Sequence, residues 1–251
     1  SAKGITTYRA SFVLGSFGTF FQVAAMFALW RVLLENGSGL EGFTWDQMKA
    51  YLLVVFVTSA LVSAFNDWSM AGRIRDGLVA VDLTRPVDFQ WARLAETAGR
   101  CAVELLMTAS VALVIAVVAD VPPPGPVAGV LFALSLLVVV PLKFLVVYGT
   151  TLLCFWTQNY LGLLWARTAL VSLLSGALVP LVFLPGWLQA VAVVLPFVGM
   201  TATPAGLYLG RLTGPDAAVA LAAQLGWTVA LWWLARFAFT RAVRQVTVHG
   251  G

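Results

Sequence analysis

The sequence predicts an all-α integral membrane fold with six transmembrane helices, and three observations carry that prediction. The chain of 251 residues is 61% hydrophobic and 10% charged, with a mean hydropathy of +0.92. A soluble domain carries roughly 45–50% apolar and about 25% charged residues. Six apolar windows are long enough to be spans, because a bilayer core of ~30 Å takes ~20 helical residues. None shows the short dyad pattern of a membrane barrel, so helices remain as the structure that satisfies every backbone group in lipid. A water-soluble globule, a disordered chain and a disulfide scaffold are excluded together. The length fits a single transmembrane domain over 1–251 with no sizeable soluble domain beside it.

The first span is predicted over 10–34. It is too long for a secretory signal peptide and poor in small-residue cleavage signals, so it is expected to stay in the mature protein. Phe17, Phe20, Phe21 and Phe27 share roughly one face of it at helical spacings. That face serves either helix packing and lipid contact or an aromatic wall along a transport pathway. A Gly-rich, acidic loop, Glu35 to Gln47, follows, with Trp45 suited to a headgroup-level anchor. The second span covers 48–66 and the third 98–119.

Between them, five basic and five acidic residues from Asp67 to Arg100 make a mixed-charge segment rather than a polybasic lipid patch. Ile74, Leu78, Val81 and Leu83 alternate with charges there as a short amphipathic helix that Pro86 stops. Such a helix either lies on headgroups or docks into a cytoplasmic partner. Val121 to Pro126 is a stiff turn leading to the fourth span at 127–155. The fifth, 160–184, carries Ser172, Ser175, Gly176 and Ala177, which allow close helix approach. Residues 185–215 are apolar but cut by Pro185, Pro196, Pro204 and Pro215. They predict two short helices that dip in from outside and are buried against protein. The sixth span is placed at 217–239.

Nine Lys and Arg fall on one side (Lys3, Arg9, Arg73, Arg75, Arg85, Arg93, Arg100, Arg241, Arg244) and two on the other (Lys49, Arg211). The positive-inside rule then makes both termini and the 67–97 loop cytoplasmic. The net charge of +4 therefore encodes orientation, not a nucleic-acid partner. Within spans, Arg31 and Arg236 lie near the ends and can snorkel, as can Arg167. Lys143 is deepest, two residues after Pro141, and the hairpin of spans three and four puts Glu104 within its reach as an ion-pair partner. Glu104 is also one turn from Arg100. A charge at such depth costs ~2.5–3.5 kcal/mol on insertion scales, so Glu104, Lys143 and Arg167 are also candidates for pathway or gating roles. Cys101 and Cys154 sit in apolar segments as reduced thiols.

Gly77, a short apolar stretch and Leu83-Thr84-Arg85-Pro86 follow the second of six spans. With Gly42-Phe43-Thr44-Trp45, Leu195-Pro196-Phe197 and the tail His249-Gly250-Gly251, they form an order and spacing that resembles the permease subunits of type-2 ATP-binding-cassette (ABC) exporters. In particular the chain resembles the paired small permeases of bacterial drug-efflux operons, over essentially its whole length. The resemblance implies a half-transporter in the bacterial cytoplasmic (inner) membrane. Two permease subunits, identical or related, would enclose a pathway for a hydrophobic or amphipathic drug-like, natural-product or lipid-like substrate. Two cytoplasmic ABC ATPase subunits would drive export. It further implies a coupling helix at about 73–86 formed by Arg73, Arg75, Gly77, Leu78, Leu83, Arg85 and Pro86. It implies an interfacial-helix end at Ile5–Arg9 and an outer cap formed by 185–215.

ATP and Mg would belong to the partner ATPase, because a phosphate-cradling loop reads G-x-x-x-x-G-K-[ST] and Lys3, Lys49 and Lys143 have no such context. No cofactor or metal is expected in this chain. An ion-coupled secondary transporter would show broken helices at matching positions of two repeats, whereas the Pro/Gly interruptions here concentrate in one segment. A membrane-embedded enzyme would need a nucleophile–base pair or a metal cluster. The sequence offers a single histidine, His249, and no H-E-x-x-H.

Overall fold

The computed structural model describes residues 24–34, 42–61, 64–84, 86–157 and 160–248. Its regular structure is entirely helical, 82% helix with no strand among the described residues. In chain order the helices are α1 (Ala24–Leu34), α2 (Trp45–Ala60), α3 (Ala64–Arg75), α4 (Val79–Leu83), α5 (Phe89–Val118), α6 (Pro126–Leu152), α7 (Tyr160–Leu174), α8 (Gly186–Val194), α9 (Ala202–Tyr208) and α10 (Gly214–Val248). Among the described residues, three helices are long and apolar enough to cross a membrane: α5, α6 with the 3-10 turn that continues it, and α10. Most of the first predicted span lies outside the described residues, as do Phe17, Phe20, Phe21, the Ile5–Arg9 stretch and Arg85.

Several boundaries differ from the predicted ones, each for a local reason. Helix α2 starts at Trp45, not 48, because Thr44 and Gln47 form a reciprocal capping box. It ends at Ala60, where Leu61 turns extended (φ −71°, ψ 135°), and α3 begins at Ala64. The predicted second span is thus two helices. Helix α5 begins nine residues early, at Phe89, because the Asp88 carboxylate caps it by accepting from the Trp91 N–H at 3.1 Å. Residues 89–97 are therefore helix, not loop. Helix α7 stops at Leu174, ten residues before the predicted end of its span. Gly176 adopts φ +83° there, a conformation that ends a helix and suits glycine. At its other end α10 continues to Val248, nine residues past the predicted limit.

Helix α6 is the hub, contacting α10 most extensively and also α9, α3, α5 and α7, while α2 packs on α5 and α9. The segments that the charge count assigns to one side gather at one end of the bundle. There Lys49 of α2 donates to the carbonyls of Ala119 and Asp120, Tyr208 to that of Pro122, and Arg211 to that of Gly42. At the opposite end a second cluster joins Met70 and Ile74 of α3, Val79 of α4, Phe89 of α5, Phe144 and Tyr148 of α6 and Ala235 of α10.

The two short helices of 185–215 fare differently. Helix α9 is buried, with Ala205 and Leu207 fully covered and Thr203 nearly so. Helix α8 leaves Trp187, Val193 and Val194 about seven-tenths exposed and covers Ala192. The expectation that both are buried against protein is corrected for α8.

Candidate functional site

The turn between α3 and α4 is built by a glycine. Gly77 has φ +70°, which lets α3 end and reverse within three residues before α4 begins at Val79. The single amphipathic helix predicted within about 73–86 is therefore divided between the end of α3 and α4, because the left-handed residue interrupts the 3.6 period. The apolar residues of the turn consequently divide into two sets. Ile74 and Val79 point into the bundle, Val79 with only 2% of its surface exposed. Leu78, Val81 and Leu83 stay outside, Leu78 at 44%, alongside exposed Val87 and Trp91 of the following segment.

An ion pair fixes this shape. The Arg73 Nε–H donates to Asp82 at 2.9 Å and a second guanidinium N–H reaches the other carboxylate oxygen. The Asp82 side chain is 3% exposed, so the pair is a shielded bidentate clamp between the end of α3 and α4. Arg73, placed in the coupling element by the resemblance, is turned inward. Arg75 instead faces outward, 3.4 Å from its neighbour Asp76, and Pro86 is exposed. Reading the sequence alone missed Asp82, since a separation of nine residues matches no helical contact period.

The turn rests on a rigid base. Asp88 accepts from Arg236 of α10 at 2.9 Å, so Arg236 ties α10 to α5 where snorkelling was expected. Phe89 stacks on Phe239 with ring centroids 4.9 Å apart, and Trp91 meets Trp232 at 4.5 Å. Ile74 and Val79 of the turn pack in one cluster with Phe89 of α5 and Ala235 of α10 at this end of the bundle.

The two lysines of the described residues are placed by backbone carbonyls. The Lys143 ammonium donates to the carbonyl of Thr58, and to that of Leu61 at 3.2 Å, the acceptors left open where α2 stops. Its expected ion pair with Glu104 is not what holds it. A cation is favourable there because the C-terminal end of a helix carries partial negative charge. Lys49 does the same for α5, donating to Ala119 and Asp120 at 3.0 and 2.8 Å while pairing with Asp46. Both lysines of the described residues therefore cap the C-terminus of a neighbouring helix. Arg100 pairs with Glu96, not Glu104, and Arg167 donates to the Thr150 hydroxyl at 3.2 Å, joining α7 to α6. Phe27 stands edge-on to Trp45 at 6.1 Å.

A buried polar junction ties the outer segment to the hub. Gln224 of α10 donates to the Gly199 carbonyl at 2.7 Å and to the Ser135 carbonyl at 3.3 Å, and its own oxygen accepts from the Ser135 hydroxyl at 3.1 Å. All four polar valences of a buried amide are costly to leave open, and three are met here. The approach is close at Gly199, where a Cβ would lie 3.0 Å from the Leu142 side chain and 3.1 Å from that of Gln224, so that these side chains would have to give by a few tenths of an ångström.

The exposed, clamped turn, the apolar hub and the outer segment all lie within residues 20–250, which match the family model described as ABC-2 family transporter protein. No curated protein and no solved structure matches the chain. Matched over nearly its whole length and all-helical with apolar membrane-length helices, the chain belongs to the ABC-2 transporter family.

Proposed function

We propose that the chain is the permease half of an ATP-driven exporter in a bacterial cytoplasmic membrane, paired with a second permease subunit and driven by separate ABC ATPase subunits. The observation that carries this reading is the α3–α4 turn. Leu78, Val81 and Leu83 stay exposed on a turn whose shape is locked by Arg73–Asp82, and a rigid apolar knob at a bundle end is the form a docking contact takes. Arg75 and Pro86 are exposed beside it, Arg85 lies between the two in sequence, and the family supplies an ATPase as the partner. The cargo is hydrophobic or amphipathic, since the described interior offers mainly apolar side chains. Phe17, Phe20, Phe21 and Phe27 of the first span are assigned to the pathway wall. Glu104, Lys143 and Arg167 are assigned to the pathway or its gating.

The native complex tests this. Purified from its own membrane and weighed intact, it should contain this chain, a second copy or a related permease, and two ATPase chains. Substrate-stimulated ATP hydrolysis should require the ATPase subunits. A stable, ATPase-free particle that transports by itself would overturn the reading. Orientation is tested separately with a membrane-impermeant thiol reagent on intact cells. A cysteine at Gly125 should label from outside and one at Val87 should not. Val87 is chosen because it is exposed and unbonded, whereas neighbouring Asp88 caps α5 and holds Arg236.

A further inference from the structure

We propose that the cleft between the α8–α9 segment and α10 binds an amphipathic organic cation, with its apolar body along α10 and its positive group at Asp216. The cleft holds about 540 Å³, within the range of small-molecule sites. One wall is Val193, Leu195 and Pro196, and the other is a single face of α10. Asp216, Ala220, Ala223 and Trp227 line it at spacings of four, three and four residues, the helical repeat that keeps side chains on one side. From the carboxylate to the indole is about 16 Å along the axis at ~1.5 Å per residue. Small alanines between them leave the room.

Asp216 is the group that a ligand cation would meet. Asp216 stands exposed in the first turn of α10, and its carboxylate makes no hydrogen bond or ion pair among the described residues. Arg211, the other charge on the lining, keeps its positive charge but is turned to neutral partners and does not pair with Asp216. Its guanidinium lies 3.6 Å over the Phe43 ring and donates to Gly42 and to Gln47 at 2.9 and 2.8 Å. The buried amide of Gln224 is likewise bonded to Ser135 and Gly199. A ligand in the cleft therefore meets an unpaired carboxylate at one end, an apolar body, and the Trp227 indole at the other.

This deepens the permease reading and rests on it for one point, that a compound held there is cargo. The test is therefore equilibrium binding to the full chain in phosphatidylcholine nanodiscs without ATPase, followed by fluorescence polarisation. Rhodamine 6G is the cationic probe and Nile red the neutral one. Wild type should bind both saturably. Asp216→Asn should weaken rhodamine 6G by about fivefold, the scale of a partly exposed ion pair, and leave Nile red unchanged, while Asp216→Glu restores the cation. Ala223→Trp, which fills the cleft, should remove both. Equal rhodamine 6G affinity in wild type and Asp216→Asn would overturn the proposal. So would saturable binding that survives Ala223→Trp, or no saturable binding in wild type because lipid already fills the cleft. A failure of ATPase to co-purify with the chain would leave these results standing.

Discussion

Replacing Leu78 by aspartate is expected to abolish transport and to strip the ATPase from the complex, while the permease itself folds and inserts normally. Leu78 is 44% exposed, so the free chain loses little apolar burial. It is also the N-cap of α4 and makes no side-chain capping bond. An exposed position on a turn tolerates a charge. The isolated permease should therefore be about as stable as wild type. At a docked interface the same carboxylate would be buried without a partner, a loss of about 2–5 kcal/mol, enough to lower retention of the ATPase by more than about thirtyfold.

Arg85→Glu should act in the same direction more weakly, since a rim charge is screened. The control is one residue away. Val79 is 2% exposed within the aromatic cluster of α5 and α6, so Val79→Asp should leave no folded protein to purify. Co-purification of the ATPase with Leu78→Asp at wild-type level, with undiminished efflux, would refute the coupling role of the turn. A turn lying on headgroups would give that result.

Lys143→Glu should be the most damaging single substitution in the membrane interior. It removes two hydrogen bonds from a charged donor, worth about 1.5–3 kcal/mol each, and sets a carboxylate against the Thr58 and Leu61 carbonyls. Lys143→Gln keeps an N–H donor and sheds the cost of a buried charge, so it should retain most of the folded protein. Detergent-extracted yield and thermal unfolding of the purified chain measure both. A second comparison separates a helix cap from an ion pair. If Lys143 were held by Glu104, the double variant Lys143→Glu with Glu104→Lys would restore the attraction and rescue folding. With backbone carbonyls as the acceptors, it should rescue nothing. Recovery of wild-type thermal stability in the double variant would show that the cap is not what fixes Lys143.

Much of this molecule follows from local chemistry and was legible in its residues. Apolar content and window length dictate a helical membrane fold, because the penalty for open backbone groups in lipid does not depend on how helices pack. The prolines between Pro185 and Pro215 likewise forbid a span there, and short helices α8 and α9 result. Capping signals were also present in the sequence, Thr44 with Gln47 and Asp88 before Phe89, and they would have set the starts of α2 and α5 correctly. A hydropathy window does not see them, since it weighs burial and not the bonds of the first turn.

Tertiary structure decided which partner each polar group takes and which face of each short helix is covered. Ile74 and Leu78 are equally apolar in the sequence, yet the positive φ of Gly77 sends one inward and leaves the other exposed. Lys143 had an acidic residue in reach on the neighbouring span, and the break in α2 offered it carbonyls instead. Asp82 found Arg73 across a turn, and Asp216 came to face a cleft whose far wall is some twenty residues earlier in the chain. Composition and period report how a residue relates to its near neighbours along the chain. Acceptors freed by a helix end, and walls brought together by packing, exist only once distant segments have met.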